Sequence, residues 1–339
     1  MNDTWTIQAA LDWTLGYLAN KGDENPRLSA QWLLSEATGL SRIELYAHFD
    51  RPLSMPERDI LRSFVARRAT GEPLQYITGE VGFRHIVLKV CPGVLIPRPE
   101  TEVLVSEALG LLPTLRRRFP EWEISDEATT KSSLGEQGLT LQQLDDTNTI
   151  QNSREASEAN EDKVIAPEEV LVADLCTGSG CVACSIAYEY ENARVIATDI
   201  EPKAIKLAQE NAQRLDLLDR IEFFEGDLGL AIPEHFMGSF RLVVSNPPYI
   251  PSALLADIPH EVSDFEPVLA LDGGKDGLEI FRRIADWSLS ALSEKGALVV
   301  ELHEDCLEEA SRIAINAGFV STRIVRDLAE RKRILLAQK

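Results

Sequence analysis

Nowhere in the 339 residues does an apolar run approach the roughly 20 residues that a membrane-spanning helix requires. The first 20 residues also lack the basic flank and apolar core of a secretory signal, carrying Asp3 and Asp12 instead. These absences argue against membrane association and predict a cytoplasmic protein. Cysteine is scarce and unpaired: Cys91, Cys176, Cys181, Cys184 and Cys306 make an odd set of five, scattered through segments with helix and strand patterns. A disulfide scaffold is excluded, and a reducing compartment fits. Cys181 and Cys184 have Cys-x-x-Cys spacing, but no second cysteine pair or histidine pair accompanies them, so no metal is expected. Positive charge is in short supply as well, with 34 Lys and Arg against 55 Asp and Glu and a net charge of -21. A surface of that sign repels phosphates, so direct nucleic-acid binding is not expected.

What is present is a globular composition, 44% hydrophobic and 26% charged, long enough for two domains. Residues 1–75 carry helical periodicity in four segments, which predicts a small helical bundle whose work is to recruit a substrate. Its three tryptophans, Trp5, Trp13 and Trp32, are expected to fill its core. Residues 76–92 read as a β-hairpin linker, with an alternating run over 83–90 and turn positions at Gly79 and Gly82. In the remainder, 93–339, one stretch breaks the pattern. Between Glu121 and Glu169 there are 13 acids and 3 bases in a Ser-, Thr-, Asn- and Gln-rich setting, which accounts for -10 of the net charge. Residues 120–168 are therefore expected to form a disordered acidic insertion.

From residue 170 onward, buried strand patterns alternate with helix patterns, which predicts an α/β fold with a parallel sheet covered on both faces. Ligands of such sheets lie at the carboxyl ends of the strands. That rule gathers Asp174, Asp199, Asp227 and Asn246, each at or just past a strand end, around one crevice.

Two loops at those strand ends carry the chemistry. Cys176-Thr177-Gly178-Ser179-Gly180 links a strand to a helix with small side chains that let a ligand approach the backbone. Its glycine spacing differs from the Gly-x-Gly-x-x-Gly cradle for a pyrophosphate. Asp199, 25 residues beyond Asp174, is placed to accept hydrogen bonds from ribose hydroxyls, and Asp227-Leu228 is placed beside an adenine. A nucleoside without a phosphate cradle suggests S-adenosylmethionine, whose sulfonium suits an acidic pocket. The second loop, Asn246-Pro247-Pro248-Tyr249, ends a strand, because two prolines cannot continue a ladder. It offers the Asn246 side-chain carbonyl and the Pro247 and Pro248 carbonyls as acceptors to a planar N–H donor.

These blocks, together with Glu72 to Gly79, Gly93 to Glu102, Phe265-Glu266-Pro267 and Asp272 to Leu278, resemble the release-factor glutamine methyltransferases of the HemK/PrmC type over nearly the whole chain outside the acidic stretch. The resemblance implies a Rossmann-like class I methyltransferase sheet behind an N-terminal helical bundle. It also implies methyl transfer from S-adenosylmethionine to N5 of the glutamine in the Gly-Gly-Gln motif of class 1 peptide chain release factors, by a monomer. In that reading Asn246, Pro247, Pro248 and Tyr249 are catalytic, while Cys176 to Gly180, Asp199, Asp227, Leu228 and Asn246 hold the cofactor. Two positions depart from the family pattern: Cys176 stands where a glycine is usual, and His303 follows Glu301-Leu302 where a glycine is frequent. The rival readings are an adenine N6 methyltransferase acting on nucleic acid, since Asn-Pro-Pro-Tyr is shared with that class, and a non-catalytic cofactor-binding scaffold.

Overall fold

The chain opens with helices whose ends are written into the sequence. In the computed structural model, which describes residues 5–113 and 169–339, α1 (Ile7–Asn20) starts where the Thr6 hydroxyl accepts the Ala9 N–H. α2 (Pro26–Thr38) has proline in its first turn and stops at Gly39 in the left-handed region. α3 (Arg42–Ala47) and α4 (Met55–Arg68) each begin with a complete capping box, Ser41 with Glu44 and Ser54 with Glu57. α5 (Leu74–Thr78) ends at Gly79. The bundle core is aliphatic, with Ile7, Leu18, Leu33 and Leu34 at 0–1% exposure.

Trp5 packs against this core, but Trp13 and Trp32 do not fill it. Ile7, Ala10, Leu11, Thr14 and Leu18 complete the buried stripe of α1, and Trp13 falls off that stripe. Trp13 is 46% exposed, stacks on Tyr17 at 5.1 Å and meets Trp5 edge-on at 5.6 Å. Trp32 is similarly exposed and lies under the Arg42 guanidinium, 5.5 Å from it.

A two-stranded hairpin follows, β1 (Glu80–Phe83) and β2 (Ile86–Lys89), paired antiparallel. The alternation predicted over 83–90 is interrupted at Arg84-His85, which form the turn, with Arg84 at φ 50°. Gly79 and Gly82 are not the turn. Gly79 caps α5, and Gly82 pairs with Val87 inside the ladder. Arg84 tolerates the left-handed conformation because its side chain is fully engaged. It binds both carboxylate oxygens of Glu189 at 2.6 and 2.7 Å, the Glu102 carbonyl at 2.9 Å and the Ser106 hydroxyl at 2.6 Å. These bonds fasten the hairpin to α6 (Pro99–Gly110) and α7 (Cys181–Glu189).

The sheet contains β3 (Val170–Leu175), β4 (Ala193–Asp199), β5 (Ile221–Glu225), β6 (Phe240–Ser245), β7 (Leu292–Glu301), β8 (Ser321–Arg326) and β9 (Lys332–Gln338), in the order β5-β4-β3-β6-β7-β9-β8. The first five in sequence are parallel, as predicted; β9 runs antiparallel to both β7 and β8. Only five residues separate β8 from β9, too few for a parallel crossover, so the last strand returns as a hairpin partner and slots beside β7. α6, α7, α8 (Pro202–Arg214) and the hairpin cover one face; α10 (Glu279–Ala291) and α11 (Leu307–Ala317) cover the other, with the short α9 (His260–Ser263) lying after β6. Strand order reverses between β3 and β6, which opens a crevice at the carboxyl ends of those two strands. The acidic insertion expected at 120–168 lies outside the described residues. Among the described residues no helix is long and apolar enough to cross a membrane.

Candidate active site

The crevice between β3 and β6 opens into a cavity of about 260 Å³, lined among others by Cys176, Thr177, Gly178, Ser179, Asp199 and Asn246. Its floor is the turn after β3. The Thr177 N–H reaches the Thr198 carbonyl at 2.9 Å, and the Gly178 N–H donates to Asp199 Oδ2 at 2.8 Å. The other Asp199 oxygen accepts the Glu201 N–H at 3.0 Å. Burial raises the Asp199 pKa, and these backbone donors pull it back. A Cβ built on Gly178 would meet nothing within 4 Å among the described residues, so the space above it is open. Gly180 does not line the cavity. Its φ is +80°, and a Cβ there would sit 2.9 Å from Ala208 Cβ, so glycine lets α7 start tight against α8.

Asp227 and Leu228 line the same cavity at the end of β5, and Asp227 is paired with Arg283. Cys176 and Leu228 are both non-glycine residues with positive φ, 61° and 52°. Asp174, expected on the crevice wall, is beneath it instead. It is 1% exposed, and its Oδ2 accepts the Thr177 hydroxyl at 2.6 Å and the Ala183 N–H at 3.1 Å. The strand-end rule picked out its position in sequence, but the chain turns over it, so it ties the turn to α7 rather than meeting a ligand. Burial pushes its pKa up to about 7.

Residues Asn246 to Tyr249 cross the far wall. The Ser245 hydroxyl donates to the Leu175 carbonyl at 2.7 Å, which fixes the loop's departure beside the floor turn. At its other end, the Ile250 N–H donates to Leu271, and the Gly273 N–H returns to Ile250, both at 2.9 Å. A Cβ on Gly273 would come within 2.7 Å of Tyr249 Cα, so glycine permits this clamp. Pro247 and Tyr249 line a second cavity of about 200 Å³, while Pro248 lines the first. Asn246 lines both, together with Leu95, Arg98 and Ala270.

Several partnerships around this loop went unrecognised in the sequence. Asn246 donates its Nδ2–H to the Thr101 hydroxyl at 3.0 Å across 145 residues. The Tyr249 hydroxyl donates to Glu301 Oε1 at 3.2 Å, and burial raises the tyrosine pKa. Arg98 is ion-paired with Glu266, which is 5% exposed and whose pKa burial raises. Both Arg98 and Thr101 sit in the proline-bracketed Pro97–Glu102 block, so the block was the available signal; the partners were too distant in sequence to infer. His303 lies in the loop after β7, with Nδ1 3.7 Å from an Asp305 carboxylate oxygen. Cys181 and Cys184 are buried in α7, where burial pushes the Cys181 thiol up to about 12.

Comparison with known proteins supplies the family context. Residues 9–79 match the family model of the PrmC N-terminal domain, and residues 157–257 match that of the methyltransferase small domain. A release factor glutamine methyltransferase of Geobacter sulfurreducens is 40% identical, with 96% of this chain and 94% of the relative covered. One from Rhodopirellula baltica is 33% identical, with 100% and 98% covered. Among solved structures, a methyltransferase from Pyrococcus furiosus is similar at 20% identity over 51% of this chain and 75% of that one, with a TM-score of 0.39.

Proposed function

This chain belongs to the release factor glutamine methyltransferase family, and we propose from that membership and from the shared wall at Asn246 that it methylates the side-chain amide nitrogen of a release-factor glutamine. The target is N5 of the glutamine in the Gly-Gly-Gln motif of class 1 peptide chain release factors. The observation that carries the reading is the position of Asn246 between two adjoining cavities, one with a carboxylate suited to a ribose and one smaller and lined by Pro247 and Tyr249.

The first cavity fits S-adenosylmethionine. Asp199 has lone pairs remaining for ribose hydroxyls, Asp227 stands at the rim for an adenine amine, and the open space above Gly178 leaves room for the rest. When bound, this cofactor supplies an electrophilic methyl group on its sulfonium. The protein's task is to make a poor nucleophile react, since the lone pair of an amide nitrogen is delocalised into its carbonyl. The Asn246 side-chain oxygen and the Pro247 carbonyl accept the two N–H groups of the target amide. They orient the nitrogen and stabilise the positive charge that develops there. Tyr249 packs against the amide plane. Orientation of this kind can supply roughly 7–11 kcal/mol of the barrier. The amide proton departs after transfer, so this scheme assigns no side chain as a base.

The test is mass spectrometry of a purified release factor after incubation with the protein and labelled cofactor. One added methyl on the Gly-Gly-Gln peptide is the expected result. Label confined to DNA offered in parallel would replace this reading with adenine methylation, and cofactor binding without any turnover would favour a scaffold.

A further inference from the structure

Behind the Asn246 loop lies a buried carboxyl that the mechanism above does not use. Glu301 ends β7 at 1% exposure. Its Oε1 accepts the Tyr249 hydroxyl, and its Oε2 is buried with no hydrogen-bond partner among the described residues. Thr101, also 1% exposed, lies near enough that its hydroxyl opposes the rise in the Glu301 pKa, although the two form no hydrogen bond in the structure. The oxygen of that hydroxyl already accepts the Asn246 Nδ2–H.

A hydroxyl has one proton and two lone pairs. With its oxygen accepting from Asn246, the Thr101 hydroxyl has its proton free to turn toward the unpartnered Glu301 Oε2. The chain Glu301–Thr101–Asn246 therefore has a direction, from amide N–H to hydroxyl to carboxylate. Resting on the functional reading above, we propose that Glu301 and Thr101 are positioning residues that fix which edge of the Asn246 amide faces the reacting nitrogen. While Glu301 is ionised, Thr101 cannot donate to Asn246, so the amide keeps its NH₂ toward Thr101 and presents Oδ1 to the substrate. Once Glu301 gains a proton, it can donate to Thr101, and Thr101 can then donate to Asn246 Oδ1. That reversal turns the NH₂ edge of Asn246 toward the substrate NH₂, donor against donor.

The surroundings of Glu301 place this reversal in an accessible range. Burial raises its pKa to about 7, opposed by the Thr101 and Tyr249 hydroxyls and by Arg333 on β9, while Glu100 on α6 raises it further. Cys181 on α7 faces it as a neutral thiol whose own pKa is raised. The sign follows: ionisation, and with it the productive amide edge, is lost as pH falls through that value.

The first readout needs no turnover. In ¹⁵N-edited NMR of cofactor-free protein, the Asn246 side-chain N–H signals should be protected from exchange at about pH 8 and lose protection by about pH 6. Thr101→Val should abolish the protected state throughout, and Glu301→Gln, which cannot change charge, should make protection independent of pH; unchanged protection in Thr101→Val or an unchanged pH dependence in Glu301→Gln would overturn the proposal. In methylation assays each variant should lower kcat by about 10- to 100-fold, with KM for the cofactor within about 2-fold. The double variant should fall no further than the worse single one, because both act through one amide. The acid limb of the wild-type pH profile should vanish in Glu301→Gln, and Thr101→Ser should retain activity within about 3-fold. Fully additive losses, or an acid limb that persists in Glu301→Gln, would overturn the proposal. Thr101→Val, nearly isosteric, carries the test should Glu301→Gln fold poorly. A wild type that methylates no release factor but has the expected Asn246 titration would sink the functional reading and leave the relay standing.

Discussion

The end of the cavity proposed for the cofactor and the end proposed for the amide are built by different means. At the cofactor end, the turn Cys176 to Ser179 is held by Thr198 and Asp199 on the adjacent strand and by Asp174 just upstream, mainly through backbone N–H groups. At the amide end, the short loop Asn246 to Tyr249 is held by side chains from afar: Thr101 on α6 and Glu301 on β7. Beside it, Arg98 before α6 pairs with Glu266 after α9, 168 residues away in sequence. Backbone donors make a floor that tolerates changes of side chain. The amide end depends on individual oxygen and nitrogen atoms and should be brittle.

The sharpest way to break that contrast is a pair of substitutions compared for kcat and KM. Asn246→Ala removes an acceptor aimed at charge that develops during reaction, and kcat should fall on the order of 10²- to 10³-fold. Asp199→Ala removes a ground-state contact to the cofactor, so its KM should rise by roughly 10-fold or more while kcat at saturation stays within about 3-fold. Should Asp199→Ala depress kcat as deeply as Asn246→Ala, the division into two ends would be wrong.

A second, smaller effect separates the ends by pH. Asp174 is buried beneath the cofactor turn, and burial raises its pKa from 3.8 to about 7. An acid whose folded pKa is raised holds its proton in the folded state while the unfolded chain has released it. Its contribution to stability is thus present below about pH 4 and is lost as pH rises to about pH 7. Asp174→Asn keeps a carbonyl oxygen for the Thr177 and Ala183 donors and has no charge to bury. The melting temperature of this variant should gain on the wild type by about 2–4 °C more at about pH 8 than at about pH 5. An equal difference at both pH values would assign Asp174 no share in the pH dependence.

The same division explains what could be read from the sequence. The alternation of strands and helices, the glycine-rich turn and Asp199 at the next strand end are local patterns, and the structure brings the turn and Asp199 together on one cavity. Asp174 was misplaced because a strand-end rule gives position along the chain and not which side of a turn a carboxylate faces. Thr101 was signalled only by the block that holds it and Glu301 by nothing that named its role, since each gains that role from a partner brought near by folding. The hairpin turn was missed for a related reason: Arg84 has no turn propensity of its own and holds a left-handed backbone through Glu189, Glu102 and Ser106. Tryptophans 13 and 32 are large and apolar, yet shorter aliphatic residues already filled the stripe facing the bundle core.

Cys176 offers the finest test of whether the cofactor end is truly tolerant. It adopts φ 61°, a conformation that costs an L-residue roughly 1–2 kcal/mol. Cys176→Gly relieves that strain. It also gives up the packing of a half-buried thiol and adds about 0.5–1 kcal/mol of backbone entropy lost on folding. These opposing effects are of similar size, so Cys176→Gly should change unfolding free energy by less than about 1 kcal/mol and cofactor affinity by less than about 3-fold. Cys176→Val keeps a comparable volume but forces a β-branched residue into the left-handed region, and it should destabilise by about 2 kcal/mol. Chemical denaturation of the three proteins reads both values, with isothermal calorimetry for the cofactor. Stability losses of equal size for glycine and valine would mean that the thiol itself, rather than the backbone it distorts, holds the turn. The cofactor floor would then depend on a single side chain as the amide end does.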